Sequence, residues 1–376
     1  MFIPPHCPNP QCPNRHHPQN DHWFQKTGQY HTKTFGSVPR FRCKECSRGF
    51  SKQTFSIDYF AKRALDYSDI SNLINSGAGI RAIARCLHVR PKAITNRINR
   101  LGRNATLLNQ QIADTIGIGE DMVIDGLENF CVSQFFPDNA TITVGKDSQF
   151  VYECDYAALR RKGRMTPAQK QKRTRLEESH FKAEPGAVKQ SFSRLLESID
   201  HRMGDREMPL ILYTDEKSDY KRALWNTKRF RDILFSGRWR HHPTSSKEAR
   251  TLWNPLFAVN YMDREIRKDM ASHARETVQF PRNVSNLMLR LNLYLFDHNV
   301  IKPYRINDPA RRSRRHAQEA GMKREQLDSI YKDAFTKRVF MKKGQWLSPS
   351  ALRTLNRQWV TPLKKQPEKL WEYLRP

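Results

Sequence analysis

Short apolar runs alternate with polar stretches along the chain and divide it into four segments. Residues 1–60 are rich in Pro, His, Cys and aromatic side chains, and residues 61–112 predict short helices. Residues 118–300 alternate strand-like and helical runs, whereas residues 301–376 predict a basic helical tail. Alternation of this kind is typical of a mixed α/β core. The pattern therefore predicts a multidomain α+β protein whose largest core lies in the third segment.

The second segment has apolar residues at helical spacing in three short stretches. Pro91 suits the first turn of the third helix, and Ile94 and Ile98 form its inward face. A basic outer face on the third helix indicates a DNA-reading helix-turn-helix, although a helical hairpin used for protein packing has the same pattern. The residues expected to face outward and contact DNA are Lys92, Thr95, Asn96, Arg97 and Arg100.

The composition of the chain indicates that it binds a polyanionic partner. The chain has 66 Lys and Arg against 38 Asp and Glu, a formal net charge of +28, and nucleic acid is the commonest polyanion bound by such proteins. Met1–Pro13 lacks an apolar run of the secretory type, and runs such as Leu291–Phe296 are too short to span a bilayer. We therefore expect a cytoplasmic protein with no membrane partner.

Four of the seven cysteines form two close pairs. CPNPQC contains Cys7 and Cys12, and CKEC contains Cys43 and Cys46, with the strand-like Arg40–Cys43 leading into the second pair. Two such turns supply four thiolates at the corners of a tetrahedron, so the spacing predicts a zinc ribbon that holds one structural Zn²⁺. Unliganded core cysteines are the alternative. Nearby histidines that can replace a cysteine are His6, His16, His17, His22 and His31.

Two aspartates follow apolar runs of the kind that form central strands. Asp125 follows Met122–Ile124, and Asp215 follows the run that ends at Tyr213, so both are expected at the exposed ends of strands. Converging carboxylates can share Mg²⁺ or Mn²⁺, since these cations prefer oxygen ligands. A helix cap or a surface ion pair is the alternative role for either residue. The third ligand is open between two residues on one helical face, Asn260 and Asp263.

A basic stretch separates the two strand-like runs that end in aspartate. Its cationic side chains would grip DNA phosphates, and a solvated helix face is an equally good interpretation. The residues concerned are Arg160, Arg161, Lys162, Arg164 and Lys170 through Arg175.

The order of these motifs, CPNPQC with CKEC, the helix-turn-helix, VIDG and LYTDEKSDY, resembles bacterial insertion-sequence transposases. The likeness is to those that join a zinc ribbon and a helix-turn-helix to a ribonuclease-H-like DDE catalytic domain, and it covers roughly residues 5–306. The stretch from RKDMASHARETVQF to HNVIKPYR resembles the end of that domain. The chain departs from the pattern in two ways: Asn260 and Asp263 stand where a Glu is usual, and a long basic insertion spans about Arg160–Arg202.

The resemblance implies a five-stranded mixed sheet, two-metal catalysis with Asp125 and Asp215 as first and second acids, and binding to terminal inverted repeats and target DNA. It implies strand cleavage followed by strand transfer, by a homodimer or higher oligomer associated with the bacterial nucleoid. A DNA-binding regulator or domesticated element without catalytic activity is the competing function. A structural RNA-binding protein is a third class, and it would have no converging carboxylates.

Overall fold

The computed structural model describes residues 2–16, 18, 20, 22–245, 247–274, 277–305, 307, 313–364 and 370. Within these residues the chain forms a mixed α/β structure with two sheets and twelve α-helices. None of the helices so described combines the length and the hydropathy that a bilayer crossing requires.

The first sheet is antiparallel and has three strands in the order β1-β2-β3. They are β1 (Phe24–Thr32), β2 (Gly36–Cys43) and β3 (Gly49–Ser51). Aromatic side chains form most of its small core: the rings of Trp23 and Phe50 stack with centroids 5.7 Å apart, and Phe41 lies 5.8 Å from Phe50. The strand expected over Arg40–Cys43 is therefore the second half of β2.

Three helices follow, α1 (Tyr67–Asn75), α2 (Ile80–Cys86) and α3 (Pro91–Ile116). The Asp66 carboxylate caps α1 by accepting from the backbone N–H groups of Ser68 and Asp69. The expected start of α3 at Pro91 is confirmed, but this helix has 26 residues and runs past the boundary expected near residue 112. Its second half packs on α9 (Val284–Val300), and a Cβ at Gly102 would lie 2.5 Å from the carbonyl oxygen of Leu289.

The second sheet contains the five strands of mixed direction that were expected. The strand order is β6-β5-β4-β7-β8, in which β5 is antiparallel to β4 and β6, whereas β7 is parallel to β4 and β8. The strands are β4 (Met122–Phe130), β5 (Pro137–Gly145), β6 (Val151–Ala158), β7 (Leu210–Asp215) and β8 (Trp239–Thr244).

Helices cover both faces of this sheet, so alternate residues of β4 enter different cores. Met122 and Ile124 belong to the larger core with α3 and α5, whereas Val123 packs with α8 and α9. The part of the basic insertion near Arg202 is thus the core helix α5, not an added surface segment. The remaining helices around the sheet are α4 (Pro167–Ser179), α5 (Ala187–Met203), α6 (Ser218–Asn226), α7 (Lys228–Phe235) and α8 (Phe257–Asp269).

The last segment, expected as a basic helical tail, packs into the fold over its described residues. Its helices are α10 (His316–Glu319), α11 (Arg324–Thr336) and α12 (Pro349–Leu355). Leu327 is part of the larger core, and the Asn104 amide donates to the carbonyls of Ala334 at 2.9 Å and Lys337 at 2.8 Å. The Ser350 hydroxyl donates to the buried carboxylate of Asp155 on β6. Helices are therefore present as predicted, but they are integral to the core.

Candidate functional site

The four predicted cysteines come together at one end of the first sheet. The Sγ atoms of Cys7 and Cys46 are 3.6 Å apart, and those of Cys12 and Cys43 are 3.7 Å apart. With sulfur–metal bonds of about 2.3 Å, the edge of a tetrahedron is about 3.8 Å. Within the described residues, these four are the only group of three or more His, Cys, Asp and Glu whose ligand atoms all lie within 4.8 Å of one another. The cluster can bind a metal ion.

Turn geometry and local hydrogen bonds prepare these thiols for a cation. The N–H of Cys12 donates to the carbonyl of Asn9 at 3.2 Å, and the N–H of Cys43 donates to that of Arg48 at 3.0 Å. Burial is the largest influence on Cys12, and it raises the pKa of this thiol to about 11. For Cys46 burial also raises the pKa, but hydrogen bonds from the Arg48 backbone, Asn9 and the neighbouring thiols lower it to about 7. A bound cation would offset the charge of thiolates packed this closely.

Among the described residues, the histidines of the first segment lie outside the cysteine cluster. The His6 ring packs between Phe55 and Phe340, with centroids 5.3 and 5.0 Å away, and its Nδ1 lies 3.0 Å from the carbonyl oxygen of Cys7. Burial lowers the pKa of His6 to about 4. Both His22 and His31 are exposed. His17, also considered from the sequence, lies outside the described residues.

Asp125 and Asp215 lie on neighbouring strands of the five-stranded sheet. Parallel pairing of β4 with β7 covers three residue pairs and ends with Ile124 opposite Thr214. Asp125 and Asp215 are the next residues on each strand, so they share a register position and a face, on strands about 4.8 Å apart. The expectation that Asp125 ends its strand is wrong, because β4 continues beside β5 to Phe130. What ends there is the pairing with β7, and this opens the sheet beside both carboxylates.

Backbone N–H groups hold the two carboxylates in place. Asp125 Oδ1 accepts from the N–H of Gly126 at 2.7 Å, and Asp215 Oδ1 accepts from the N–H of Lys217 at 2.9 Å. A side chain at Gly126 would force Asn139 on β5 to shift, since a Cβ there would lie 2.1 Å from Asn139 Oδ1. Each aspartate thus keeps one carboxylate oxygen fixed by the chain itself.

The third candidate ligand comes from α8. Asp263 Oδ1 is buried and has no hydrogen-bond partner, a costly arrangement for a carboxylate. Asn260 lies one turn earlier on the same helix, at i−3. Glu265 is engaged elsewhere, because both its carboxylate oxygens accept from Lys268 Nζ at 2.7 Å. Glu276 lies outside the described residues.

Electrostatics links these carboxyl groups into one acid cluster, defined here as Asp125, Asp215 and Asp263. Burial is the larger cause, and the charge of Asp215 the smaller, of a rise in the pKa of Asp125 to about 6. Two causes raise the pKa of Asp263 to about 7: burial is the larger, and the charge of Asp125 is the smaller. The positive charges of Arg267 and Arg250 lower this pKa but do not cancel the rise. The fold therefore concentrates negative charge where little solvent can screen it, and a bound cation would relieve the repulsion.

Sequence reasoning missed the groups that surround the acid cluster. Lys217 Nζ lies 3.2 Å from Glu128 Oε1 and so ties the start of α6 to β4. The buried Tyr220 hydroxyl, on the first turn of α6, has no hydrogen-bond partner. Burial and then the charges of the acid cluster raise its pKa well above the ordinary value. The only sequence signal was its position five residues after Asp215, at the strand-to-helix connection.

A cavity of about 540 Å³ adjoins Asp215 between β7, β8 and α6. Its wall includes the half-exposed ring of Trp225, which lies edge-on to Phe235 with centroids 5.7 Å apart. The cationic side chains that line it are Lys217, Lys221 and Arg240. A cavity with this lining suits a phosphate and an adjoining base beside the acid cluster.

Fewer side chains of α3 face solvent than the sequence predicted. Lys92 and Asn96 are exposed and Thr95 is half-buried, as a DNA-contacting face requires. Arg97, however, is buried and donates to the carbonyl of Arg63 at 2.7 Å, so the expectation that it faces outward is wrong. Arg100 also turns inward: it donates to the carbonyl of Ile57 at 2.7 Å and lies over the ring of Tyr59. Both guanidinium groups satisfy carbonyls of the preceding loop.

The basic stretch after β6 is partly exposed and partly engaged. Arg160 forms two hydrogen bonds with the Glu177 carboxylate, at 2.8 and 2.9 Å, and Arg161 lies over the ring of Phe135. Arg164 is exposed, and α4 has no buried residue. A helix without an apolar face makes no contribution to a core, so this segment offers cationic side chains to solvent or to a polyanion.

Comparison with known proteins adds little to this geometry. No protein-family model and no curated protein matches the sequence. Among solved structures, the chain is similar to the crystal structure of the Mos1 strand transfer complex at 10% sequence identity, with 62% of this chain and 75% of that chain covered and a TM-score of 0.21. A likeness of that degree establishes neither a common fold nor a common function.

Proposed function

We propose that this protein is a metal-dependent DNA transposase, which binds the ends of a mobile element and catalyses strand cleavage and strand transfer. The observation that carries the proposal is the acid cluster. Asp125 and Asp215 share a register position where the β4–β7 pairing ends, and Asp263 adds a buried carboxylate oxygen without a partner. A chain of net charge +28 that gathers three acids in one partly buried place is suited to anionic DNA and a divalent cation.

The residues fit Mg²⁺ or Mn²⁺. Asp125, Asp215 and Asp263 would hold the ions, with Asn260 as the competing third ligand. Bound in pairs, such ions activate a water or a 3′-hydroxyl and stabilise the leaving oxygen of an in-line displacement at phosphorus. The three carboxylates do not all lie within 4.8 Å of one another. A pair of divalent ions would use ligands that are more widely spaced than those of a single ion.

The remaining basic surfaces would bind and orient DNA. Lys92, Thr95 and Asn96 would contact terminal inverted repeats, while Arg164 and the exposed helix α4 would contact phosphates. The cationic cavity beside Asp215 would hold the strand next to the reacting phosphate. Two DNA ends must be handled together, so the active form would be a homodimer or a higher oligomer on DNA.

The two sheets would have separate tasks. The three-stranded sheet with its four cysteines would be a zinc ribbon, whose ion, held by Cys7, Cys12, Cys43 and Cys46, stabilises a core too small to fold alone. The five-stranded mixed sheet would be a ribonuclease-H-like catalytic core, the fold that the resemblance in motif order implies. Affinity for DNA and strand chemistry would therefore depend on different residues.

This separation makes the proposal testable. The substrate is plasmid DNA that carries the sequences flanking the gene, incubated with Mg²⁺ or Mn²⁺. Asp125→Asn and Asp215→Asn should each abolish strand cleavage while mobility shifts show nearly unchanged DNA binding. Asp138→Asn is the matched control, since Asp138 is a buried aspartate on the neighbouring strand β5. It should still cut.

Comparing Asp263→Ala with Asn260→Ala then identifies the third ligand, because only the true ligand is required for Mg²⁺-dependent cleavage. Cleavage by both Asp→Asn variants would put the active site elsewhere. A wild-type protein that binds these DNA ends but never cuts them would favour the alternative, a DNA-binding regulator or domesticated transposase without catalytic activity.

A further inference from the structure

The Tyr220 hydroxyl has an environment that the proposed chemistry does not yet use. The side chain is 0% exposed, and its oxygen has neither a donor nor an acceptor partner among the described residues. Nearly all buried hydroxyl groups are hydrogen-bonded, because an unpaired one loses its bonds to water without replacement. A buried hydroxyl of this kind therefore needs a partner that the described residues do not supply in this arrangement.

The ring of Tyr220 is held from two sides, so its hydroxyl cannot turn towards solvent. It stacks on Phe192 of α5 with centroids 4.5 Å apart, and Lys217 Nζ lies 5.8 Å from its centroid. The same Lys217 Nζ is 3.2 Å from Glu128 Oε1, on the strand that carries Asp125. The tyrosine is thus held between α5 and the side chain of Lys217, whose backbone N–H donates to Asp215 Oδ1 at 2.9 Å.

The acidic side chains of the cluster act electrostatically on this hydroxyl. After burial, the groups that raise the pKa of Tyr220 are Asp125, Asp215, Asp263 and Glu128, in that order. Surrounded by carboxylates, the phenol stays protonated and is a donor, and the oxygen atoms near it are acceptors. Yet no carboxylate oxygen is within hydrogen-bonding distance, and the three carboxylates do not all lie within 4.8 Å of one another.

We propose that Tyr220 is a positioning residue for the ion site: its hydroxyl donates to a carboxylate oxygen of the acid cluster once a divalent cation has drawn those carboxylates together. The inference rests on the proposed metal-dependent function and deepens it. When no ion is bound, the unpaired hydroxyl lowers the stability of the folded protein. In the ion-bound protein it orients a ligand, as outer-shell hydrogen bonds to metal ligands do.

The two states predict opposite signs for one substitution, Tyr220→Phe, which removes only the hydroxyl. Without Mn²⁺, the melting temperature should rise, because an unpaired buried polar group is gone. With Mn²⁺, binding should weaken about tenfold or more, the usual effect of losing an outer-shell partner. A core tyrosine with no link to the site would give the first effect without the second.

Tyr294→Phe is the matched control. Tyr294 is equally buried, but its hydroxyl already donates to Asp269 Oδ2 at 2.8 Å. This variant should melt at a lower temperature and bind Mn²⁺ as the wild type does.

The experiment uses the full chain with zinc bound, titrated with Mn²⁺ while electron paramagnetic resonance measures the free ion, and melted with and without Mn²⁺. Unchanged Mn²⁺ binding by Tyr220→Phe would overturn the inference, and so would a lower melting temperature without Mn²⁺, which would assign the hydroxyl a structural bond. If the wild type itself bound no Mn²⁺, the proposed ion site would be wrong. If the wild type bound it and Tyr220→Phe bound it equally, only the role of Tyr220 would be wrong.

Discussion

Replacing Asp263 with asparagine removes a charge that the ion-free fold tolerates poorly. The Asp263 carboxyl group has a folded-state pKa of about 7, well above its ordinary 3.8, because burial and the charge of Asp125 disfavour its ionised form. The folded protein therefore holds this proton more tightly than the unfolded chain does. Its contribution to stability is fully present below about pH 4, and it is lost as the pH rises through about 7.

The magnitude follows from that difference. From 3.8 to about 7 the pKa rises by about 3, and each pH unit corresponds to about 1.4 kcal/mol. Asparagine keeps the shape and never ionises, so Asp263→Asn should raise the free energy of unfolding by up to about 4 kcal/mol at pH 8 and by roughly half of that at pH 5.5. The sign is unusual, since most substitutions at buried positions destabilise a protein.

A divalent cation should narrow the difference in stability between the two proteins. The wild type gains about 2.7 kcal/mol when the free ion is at 100 times its dissociation constant, whereas a variant that has lost a ligand gains little. The assay is urea unfolding followed by tryptophan fluorescence, at both pH values, with and without Mn²⁺. No chelator is added, so that a metal ion on the cysteines is retained.

Asp138→Asn separates the general effect of burial from the ion site. Asp138 Oδ2 is also buried without a partner, and burial raises the pKa of this group to about 7, but the groups that act on it do not include the acid cluster. This variant should gain stability at pH 8 and keep the full response to Mn²⁺. Equal stability of Asp263→Asn and wild type at pH 8 would refute the electrostatic argument, and an intact Mn²⁺ response would exclude Asp263 as a ligand.

Three further predictions concern other parts of the molecule. Metal analysis should return about one zinc per chain, and Cys46→Ser should lower that content; a folded, zinc-free wild type would contradict the site. Asn96→Ala should weaken binding to the cognate DNA end more than to random DNA. Arg97→Ala should lower the free energy of unfolding by about 1–3 kcal/mol, since it removes the hydrogen bond from the buried Arg97 side chain to the Arg63 carbonyl; a selective DNA defect in Arg97→Ala would show that the side chain reaches DNA. Gly126→Ala should cost about 1–3 kcal/mol, because the new Cβ meets Asn139, and unchanged urea unfolding would contradict this.

Local patterns in the sequence were enough to predict the elements that carry the chemistry. Apolar runs predicted the strands that bear Asp125 and Asp215, and the spacing of Cys7, Cys12, Cys43 and Cys46 predicted their convergence, since both signals depend on a few neighbouring residues. The same signals could not show that β4 continues past Asp125. That length is set by pairing with β5, a contact between strands that local hydropathy does not encode.

Orientation was harder to predict than the existence of an element. Arg97 and Asn96 are adjacent polar residues of α3, yet one is buried against a loop carbonyl and the other faces solvent. A long arginine can bury its stem and satisfy a distant carbonyl, so its identity does not report its environment. The opposite holds for Tyr220: its position in α6 is an ordinary apolar one by pattern, and only the fold shows that its hydroxyl is buried without a partner.

The length of α3 bears on how binding and chemistry would be coupled. This one helix spans about 39 Å at about 1.5 Å per residue, with Lys92 and Asn96 exposed in its first two turns. At Gly102 it packs so closely on α9 that a Cβ there would lie 2.5 Å from the carbonyl oxygen of Leu289. Helix α9 in turn is bonded to β6 through Asn299, whose amide group exchanges two hydrogen bonds with the backbone of Val151 at 2.9 and 3.0 Å. Under the proposed function, the surface that contacts DNA is therefore fixed relative to the sheet that bears Asp125 by continuous packing. The distance between a bound DNA sequence and the cut would then be a property of α3 and not of a flexible linker.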